Sequence, residues 1–201
     1  MLMEDRAQKT DAELVVATLN DADAFLFLVE RYEKRLLRYI CRFSRLPHEE
    51  AEEILQEVFI KVYRNLNGFD ASLSFSSWIY RIAHNETVNH LKGMKKNNTI
   101  RLETDDADGL QLIDLLESEL SAMDETLQNE LRDRIQSILS HLSADYREVL
   151  VLRFLEDKSY EEIGDILKKP MGTVATLINR AKSQFKQLVE KNDLTLSFLP
   201  S

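Results

Sequence analysis

Ser159-Tyr-Glu-Glu-Ile-Gly-Asp-Ile-Leu-Lys-Lys-Pro-Met-Gly-Thr-Val174 holds a helix start, a helix stop and a second helix start within sixteen residues. Ser159 with Glu162 three positions on is a capping box, in which hydroxyl and carboxylate each satisfy a backbone N–H of the first turn. The helix it opens runs to Leu167. Lys168-Lys-Pro-Met-Gly172 is a tight connection, and a longer helical pattern follows over Thr173–Val189. Small Gly164 sits where two helices would cross closely. Many helical hairpins share this arrangement, so by itself it sets a local fold and leaves the role open.

The same periodicity extends upstream. Thr10-Asp-Ala-Glu13 is a second capping box, opening a short helix through about Leu19. Asp21 or Asp23 can cap the next, to about Phe43. Its apolar residues Phe25, Leu28, Val29, Tyr32, Leu36, Tyr39, Ile40 and Phe43 fall three and four apart and make one buried stripe. Pro47 suits the first turn of a third helix ending near Leu66. There Ala51, Ile54, Leu55, Val58 and Val62 face inward, and Glu52, Glu53, Gln56, Glu57, Lys61 and Arg64 face outward. Asn67-Gly68-Phe69-Asp70 stops it, with Gly68 able to take a left-handed cap. Ser74 or Ser76 can open a fourth helix to about Lys95. Ser143 can cap another over Asp145–Leu155. Only five glycines and three prolines occur in 201 residues, which disfavours a turn-rich β fold. The fold class is therefore all-α, with two small helical domains. An N-terminal bundle over 1–97 and a helix-turn-helix domain over 125–191 flank an acidic linker over 98–124, with a tail at 192–201.

The net charge is −9, and all of it lies in residues 101–130, which hold ten acids and one base. The other 171 residues carry 25 bases and 25 acids. An acidic pI of about 5.0 therefore does not exclude nucleic-acid binding. Cys41 is the only cysteine, so no internal disulfide forms, and its place in an apolar pattern predicts a buried thiol. The N-terminus has no secretory h-region, and the longest clean apolar runs are about a third of a membrane span. A soluble, cytoplasmic protein without membrane insertion is expected.

Enzyme chemistry finds no footing. The histidines are His48, His84, His90 and His141, and no HExxH, Cys pair or Gly-rich phosphate loop is present. No nucleophile–base set stands out, so no catalytic residue, metal or cofactor is assigned. Residues 81–101 carry five bases against Glu86. Arg81, Asn85, Asn89, Lys92 and Lys96 share one helical face, where asparagines can meet base edges and cations can meet phosphates. His84, Trp78 and Tyr80 offer stacking surfaces nearby. A solvated bundle helix has the same composition, and both possibilities stand at this level. Residues 168–191 carry six bases against Glu190. In a helix-turn-helix the second helix enters the major groove N-terminus first, so Thr173, Thr176, Asn179 and Arg180 are the side chains placed to reach DNA. A helical hairpin with a basic tail is the plain alternative.

Taken together, the two halves resemble one family. Ala24-Phe…Leu28-Val-Glu-Arg-Tyr32, Glu53–Asp70 (EILQEVFIKVYRNLNGFD) and Phe75–Ala83 (FSSWIYRIA) with Asn85 are similar to region 2 of extracytoplasmic-function sigma factors of bacterial RNA polymerase. Leu142–Phe154, Ser159–Ile163 and Pro170-Met-Gly-Thr-Val174 resemble region 4 of the same family. The resemblance implies an alternative sigma factor rather than an enzyme. It implies that Glu53, Gln56, Glu57 and Lys61 dock on the clamp of the largest subunit of core RNA polymerase. Asn67, Phe69, Asp70, Ser74, Trp78, Arg81, His84, Asn85, Asn89 and Lys92 would hold the minus-ten promoter DNA as a single strand. Thr173, Thr176, Asn179, Arg180 and Lys182, within 173–182, would contact the minus-thirty-five duplex, the linker would thread the polymerase channels, and an anti-sigma factor would restrain the protein.

The chain departs from the family pattern in three ways. Ala175 and Leu177 replace frequent bases, and Asn179 replaces histidine; each lost phosphate contact removes about one unit of salt dependence. Lys168 stands where the turn usually has glycine, which demands a left-handed lysine or a different turn. Two further roles fit the residues: a sigma-like decoy for an anti-sigma factor, or a stand-alone helix-turn-helix regulator.

Overall fold

The structure, a computed structural model, describes residues 9–70, 73–95, 135 and 137–191. Among these every regular element is helical. The chain divides into two compact units, Met1–Thr99 with Gly164–Lys168, and Ile100–Ile163 with Lys169–Ser201. The expectations for the acidic linker, for Lys96 and for the tail lie outside the described residues.

The N-terminal unit contains α1 (Asp11–Asn20), α2 (Phe25–Ser44), α3 (His48–Asn65) and α4 (Phe75–Lys95). Thr10 and Glu13 form the expected capping box: Glu13 N–H donates to Thr10 Oγ1, and Thr10 N–H donates to the Glu13 carboxylate at 2.7 Å. These bonds favour the carboxylate and hold Glu13 below its usual pKa. Asp21 caps the 3-10 turn Ala22–Ala24 that leads into α2. The α2 stripe buries Leu28, Tyr32, Leu36, Tyr39, Ile40 and Phe43, while Phe25 and Val29 are half-buried. All five inward positions expected on α3 are buried. Pro47 stands one residue earlier than expected, at the N-cap of α3. Cys41 is half-buried rather than fully so, and desolvation raises its thiol pKa.

Arg31 and Tyr32 of α2 clasp the start of α1. Arg31 donates to Asp11 at 2.7 Å and to the Lys9 carbonyl at 2.6 Å, and the Tyr32 hydroxyl donates to Asp11. Burial first, then the Asp11 carboxylate, raises the Tyr32 phenol well above its usual range. The folded protein thus keeps this proton to higher pH than the unfolded chain does. That contribution is complete below the unfolded tyrosine pKa of about 10 and is lost as pH rises above it. Urea midpoints measured between pH 9 and 11 should fall more steeply for the parent than for Tyr32→Phe.

Gly68 departs from expectation. No described glycine has a positive φ. Instead α3 runs on into a 3-10 turn over Leu66–Gly68, closed by the Phe69 N–H donating to the Leu66 carbonyl at 3.1 Å. Ser74 opens α4, its hydroxyl accepting the Ser77 N–H at 3.2 Å.

The C-terminal elements are α5 (Ala144–Leu150), α6 (Tyr160–Leu167) and α7 (Met171–Lys191). Ser143 caps α5 as expected, but the helix does not continue regularly to Leu155: Val151–Leu155 form a π turn. Asp157 follows it with φ 51°, and the Lys158 N–H reaches back to the Leu152 carbonyl at 2.9 Å. The wide turn buries Val151, Leu152 and Phe154 together. α5 packs on α7. Ser159 and Glu162 form the second capping box, with bonds of 2.9 and 3.1 Å.

Lys168 adopts φ 55°, the left-handed conformation that its place in the turn demands. A side chain there costs about 1–2 kcal/mol, partly offset by the lower unfolded-state entropy of lysine relative to glycine. Lys168→Gly is therefore expected to stabilise α6 and α7 by about 0.5–1 kcal/mol, read as slower amide exchange in both helices.

Candidate functional site

Two hollows lie side by side on the N-terminal unit, between α3 and α4. The first, about 430 Å³, is lined by Glu53, Ile54, Gln56, Glu57 and Ile60 of α3 and by Glu86, Asn89 and His90 of α4. Glu53, Gln56, Glu57 and Asn89 are exposed. Ile60, which sequence reasoning did not single out, gives this acidic face an exposed apolar point. His90 lies 3.4 Å from Glu50 of α3.

The second hollow, about 330 Å³, is lined by Lys61, Asn65, Gly68, Trp78, Ile82, Asn85 and Glu86. Lys61 crosses between the helices and pairs with Glu86. Its ammonium is thus committed to joining α3 to α4, a pairing across 25 residues that sequence spacing does not signal. Trp78 forms one wall. Its ring lies 5.1 Å from Phe69 and 5.6 Å from Phe75, and Phe69 meets Phe75 edge-on at 5.4 Å. Phe75 is buried, Phe69 and Trp78 are half-buried, and Tyr32 of α2 closes the cluster behind Phe75 at 5.6 Å. This ring triangle anchors the segment between α3 and α4 at both ends.

Around it Asn67, Asp70 and Ser74 are exposed, as is Leu73 at 53 %. Farther along α4, Asn85, Asn89 and Lys92 are exposed, and Arg81 and His84 are half-buried. The His84 ring stacks on Phe43 at 5.9 Å, so one face of it is taken by the bundle. The strip expected on α4 is therefore divided: Asn85 opens on the Trp78 hollow and Asn89 on the acidic one. Asn65 and Ile82, both on the hollow beside Trp78, were missed by sequence reasoning.

On α7, Thr173, Thr176, Asn179 and Arg180 are exposed. The Thr173 N–H donates to the Pro170 carbonyl at 2.9 Å, and the Thr176 hydroxyl donates back to the Gly172 carbonyl at 2.9 Å. Thr173, Thr176 and Arg180 follow a spacing of three and four on one face. Ala175 and Leu177 are half-buried. Lys182 does not share the exposed face: it is 5 % exposed, with its ammonium 4.8 Å from the centre of the Phe154 ring.

The family models Sigma-70 region 2 and Sigma-70, region 4 match residues 28–96 and 132–185. The ECF RNA polymerase sigma factor SigW of Bacillus subtilis is 34% identical over 83% of this chain and 89% of its own length. The chain belongs to the ECF sigma factors. The ECF RNA polymerase sigma-E factor of Escherichia coli K12 is 31% identical over 91% of the chain and 96% of its own length. Among solved structures, CnrH in complex with the cytosolic domain of CnrY aligns with a TM-score of 0.66. That match covers 91% of this chain and 99% of CnrH at 21% identity. RpoE of Bartonella quintana, in complex with the anti-sigma factor NepR, aligns at 0.62 over 83% of this chain and 96% of RpoE at 20% identity.

An ECF sigma factor is an initiation factor that works with RNA polymerase and is not itself an enzyme. Region 2 covers both hollows and the ring triangle, and region 4 covers the capped α6, the Lys168 turn and most of α7. Among the described residues no cluster of three or more potential metal ligands occurs. No described helix is long and apolar enough to cross a membrane.

Proposed function

We propose that this sigma factor presents three surfaces in succession. The acidic face of α3, formed by Glu53, Gln56 and Glu57 with Ile60 beside them, docks on the clamp of the largest subunit of core RNA polymerase. The Asn67–Ser74 segment and α4 hold the minus-ten element as a single strand. Thr173, Thr176, Asn179 and Arg180 of α7 meet the minus-thirty-five duplex. The two bodies that carry these surfaces correspond to residues 1–97 and 125–191, with the acidic 98–124 between them. The protein acts in the cytoplasm, restrained by an anti-sigma factor that covers these surfaces until a signal releases it.

The observation that carries this reading is the hollow walled by Trp78. Unstacking a base costs a few kcal/mol, and a site must return that cost. An aromatic face held by Phe69 and Phe75, beside the amides of Asn65 and Asn85, supplies stacking and base-edge partners at one place. Stacking of about 1–3 kcal/mol per base is enough to trap one or two unpaired bases. Arg81 and Lys92 on the same helix can neutralise the adjoining phosphates.

The test combines purified protein with core polymerase and a genomic promoter library. Run-off transcripts should map to a small promoter set, with minus-ten thymines reactive to permanganate only when the sigma factor is present. Retention on core polymerase without transcripts or permanganate reactivity would overturn the promoter assignments. Failure in all three assays, with binding to an anti-sigma factor alone, would mark a decoy.

A further inference from the structure

We infer that Lys182 is a positioning residue for duplex recognition, held inside the C-terminal unit and not on DNA phosphate. The inference rests on α7 as the duplex-reading helix. At about 100° per residue, Lys182 lies roughly 180° around α7 from Thr173, whereas Arg180 lies within roughly 20° of it. Lys182 shares its side of the helix with Ile178 and Phe185, both buried. Its own side chain is buried to the same degree. An ammonium in such surroundings is disfavoured unless it meets compensating electron density. The face of Phe154, 4.8 Å away, is one such partner, and this attraction strengthens where water is excluded.

Phe154 is itself well placed to transmit position. It belongs to the π turn after α5, as does Arg153, which ties that turn to the residues that follow it. The Arg153 guanidinium lies 5.9 Å from the Phe154 ring and 5.8 Å from the ring of Tyr160, the first residue of α6. It also donates to the Lys158 carbonyl at 3.1 Å. One aromatic ring thus joins the middle of α7, through Lys182, to the turn that leads into α6. Rotation of α7 about its axis would draw the ammonium off the ring, so this contact sets the angle at which Thr173, Thr176 and Arg180 leave the unit.

A phosphate ligand and an internal brace give different salt dependences. The measurement uses the full chain bound to core polymerase and a labelled duplex promoter fragment carrying either an intact or a scrambled minus-thirty-five element. Arg180→Gln should reduce the slope of log affinity against log salt by about one unit. Lys182→Met keeps length and volume without charge. It should leave that slope unchanged to within about half a unit and lower the intact-to-scrambled preference about tenfold. Lys182→Arg should restore the preference. Phe154→Leu, a residue without access to DNA, should reproduce the Lys182→Met result and carries the same two readouts if Lys182→Met does not fold. A Lys182→Met slope lowered by about one unit would identify a phosphate ligand and overturn the inference; so would an unchanged preference. If scrambling the element has no effect on the parent and Arg180→Gln leaves its slope intact, duplex recognition by α7 itself fails. The inference then falls with it.

Discussion

Phe75→Ala is expected to lower the unfolding free energy of the N-terminal unit by about 3–5 kcal/mol. Phe75 is 3 % exposed and is the first residue of α4, where it meets Tyr32 of α2, Phe69 and Trp78. Its removal leaves a cavity where three rings converge, and each lost aromatic pair forfeits about 0.5–1.5 kcal/mol beyond its buried area. A small domain has only about 5–15 kcal/mol in total, so the variant should lie close to its threshold at physiological temperature. Trp78 is the only tryptophan and its ring is 5.6 Å from Phe75, so its fluorescence reports urea unfolding from within the altered cluster. Phe75→Leu, which keeps most of the volume, should lose only about 1–1.5 kcal/mol. At low temperature, where Phe75→Ala remains folded, it should still bind core polymerase through α3 yet fail to open promoters. A midpoint change worth less than about 1 kcal/mol would mean that the bundle holds the segment between α3 and α4 without this ring.

How far such features could be read from sequence depends on how local their causes are. The capping boxes at Thr10 and Ser159 were legible because donor and acceptor lie three residues apart and need no tertiary partner. The α2 stripe was legible because a 3.6-residue period carries its own geometry. Gly68 misled because its residue type permits a left-handed cap without requiring one. The chain instead closes a 3-10 turn that brings Phe69 onto Phe75 and Trp78. The π turn at Val151–Leu155 left no mark in the apolar pattern, since one extra residue in a turn changes no composition. The Lys61–Glu86 pair joins different helices, so the outward face of α3 looked freer than it is. The burial of Lys182 was hidden for another reason. Counting bases in a window ignores the angle at which each leaves the helix, and the spacing to Ile178 and Phe185 already placed it on the inner side.

Trp78→Ala separates the site from the scaffold. The ring is half-buried, so its loss should cost the fold less than the loss of Phe75, about 1–2 kcal/mol by the area withdrawn from water. Its effect on promoter capture should be larger. Phe69 and Phe75 hold the ring at the wall of the hollow, and Asn85 and Asn65 line the same space. A base drawn into that space loses its stacking partner in DNA and gains one in Trp78. Without the ring, the sigma–core complex should bind a single-stranded minus-ten oligonucleotide about 5–150-fold more weakly, the equivalent of 1–3 kcal/mol. Affinity for core polymerase should be unchanged, because the acidic face of α3 is a separate hollow. Trp78→Phe should recover part of the loss, since a smaller ring still offers a face to a base. Oligonucleotide affinity that stays at the parent level in Trp78→Ala, despite the lower stability, would assign the ring to packing alone. Base capture would then have to rest on the asparagines and on Arg81, and Asn85→Ala in the same assay would show the larger loss.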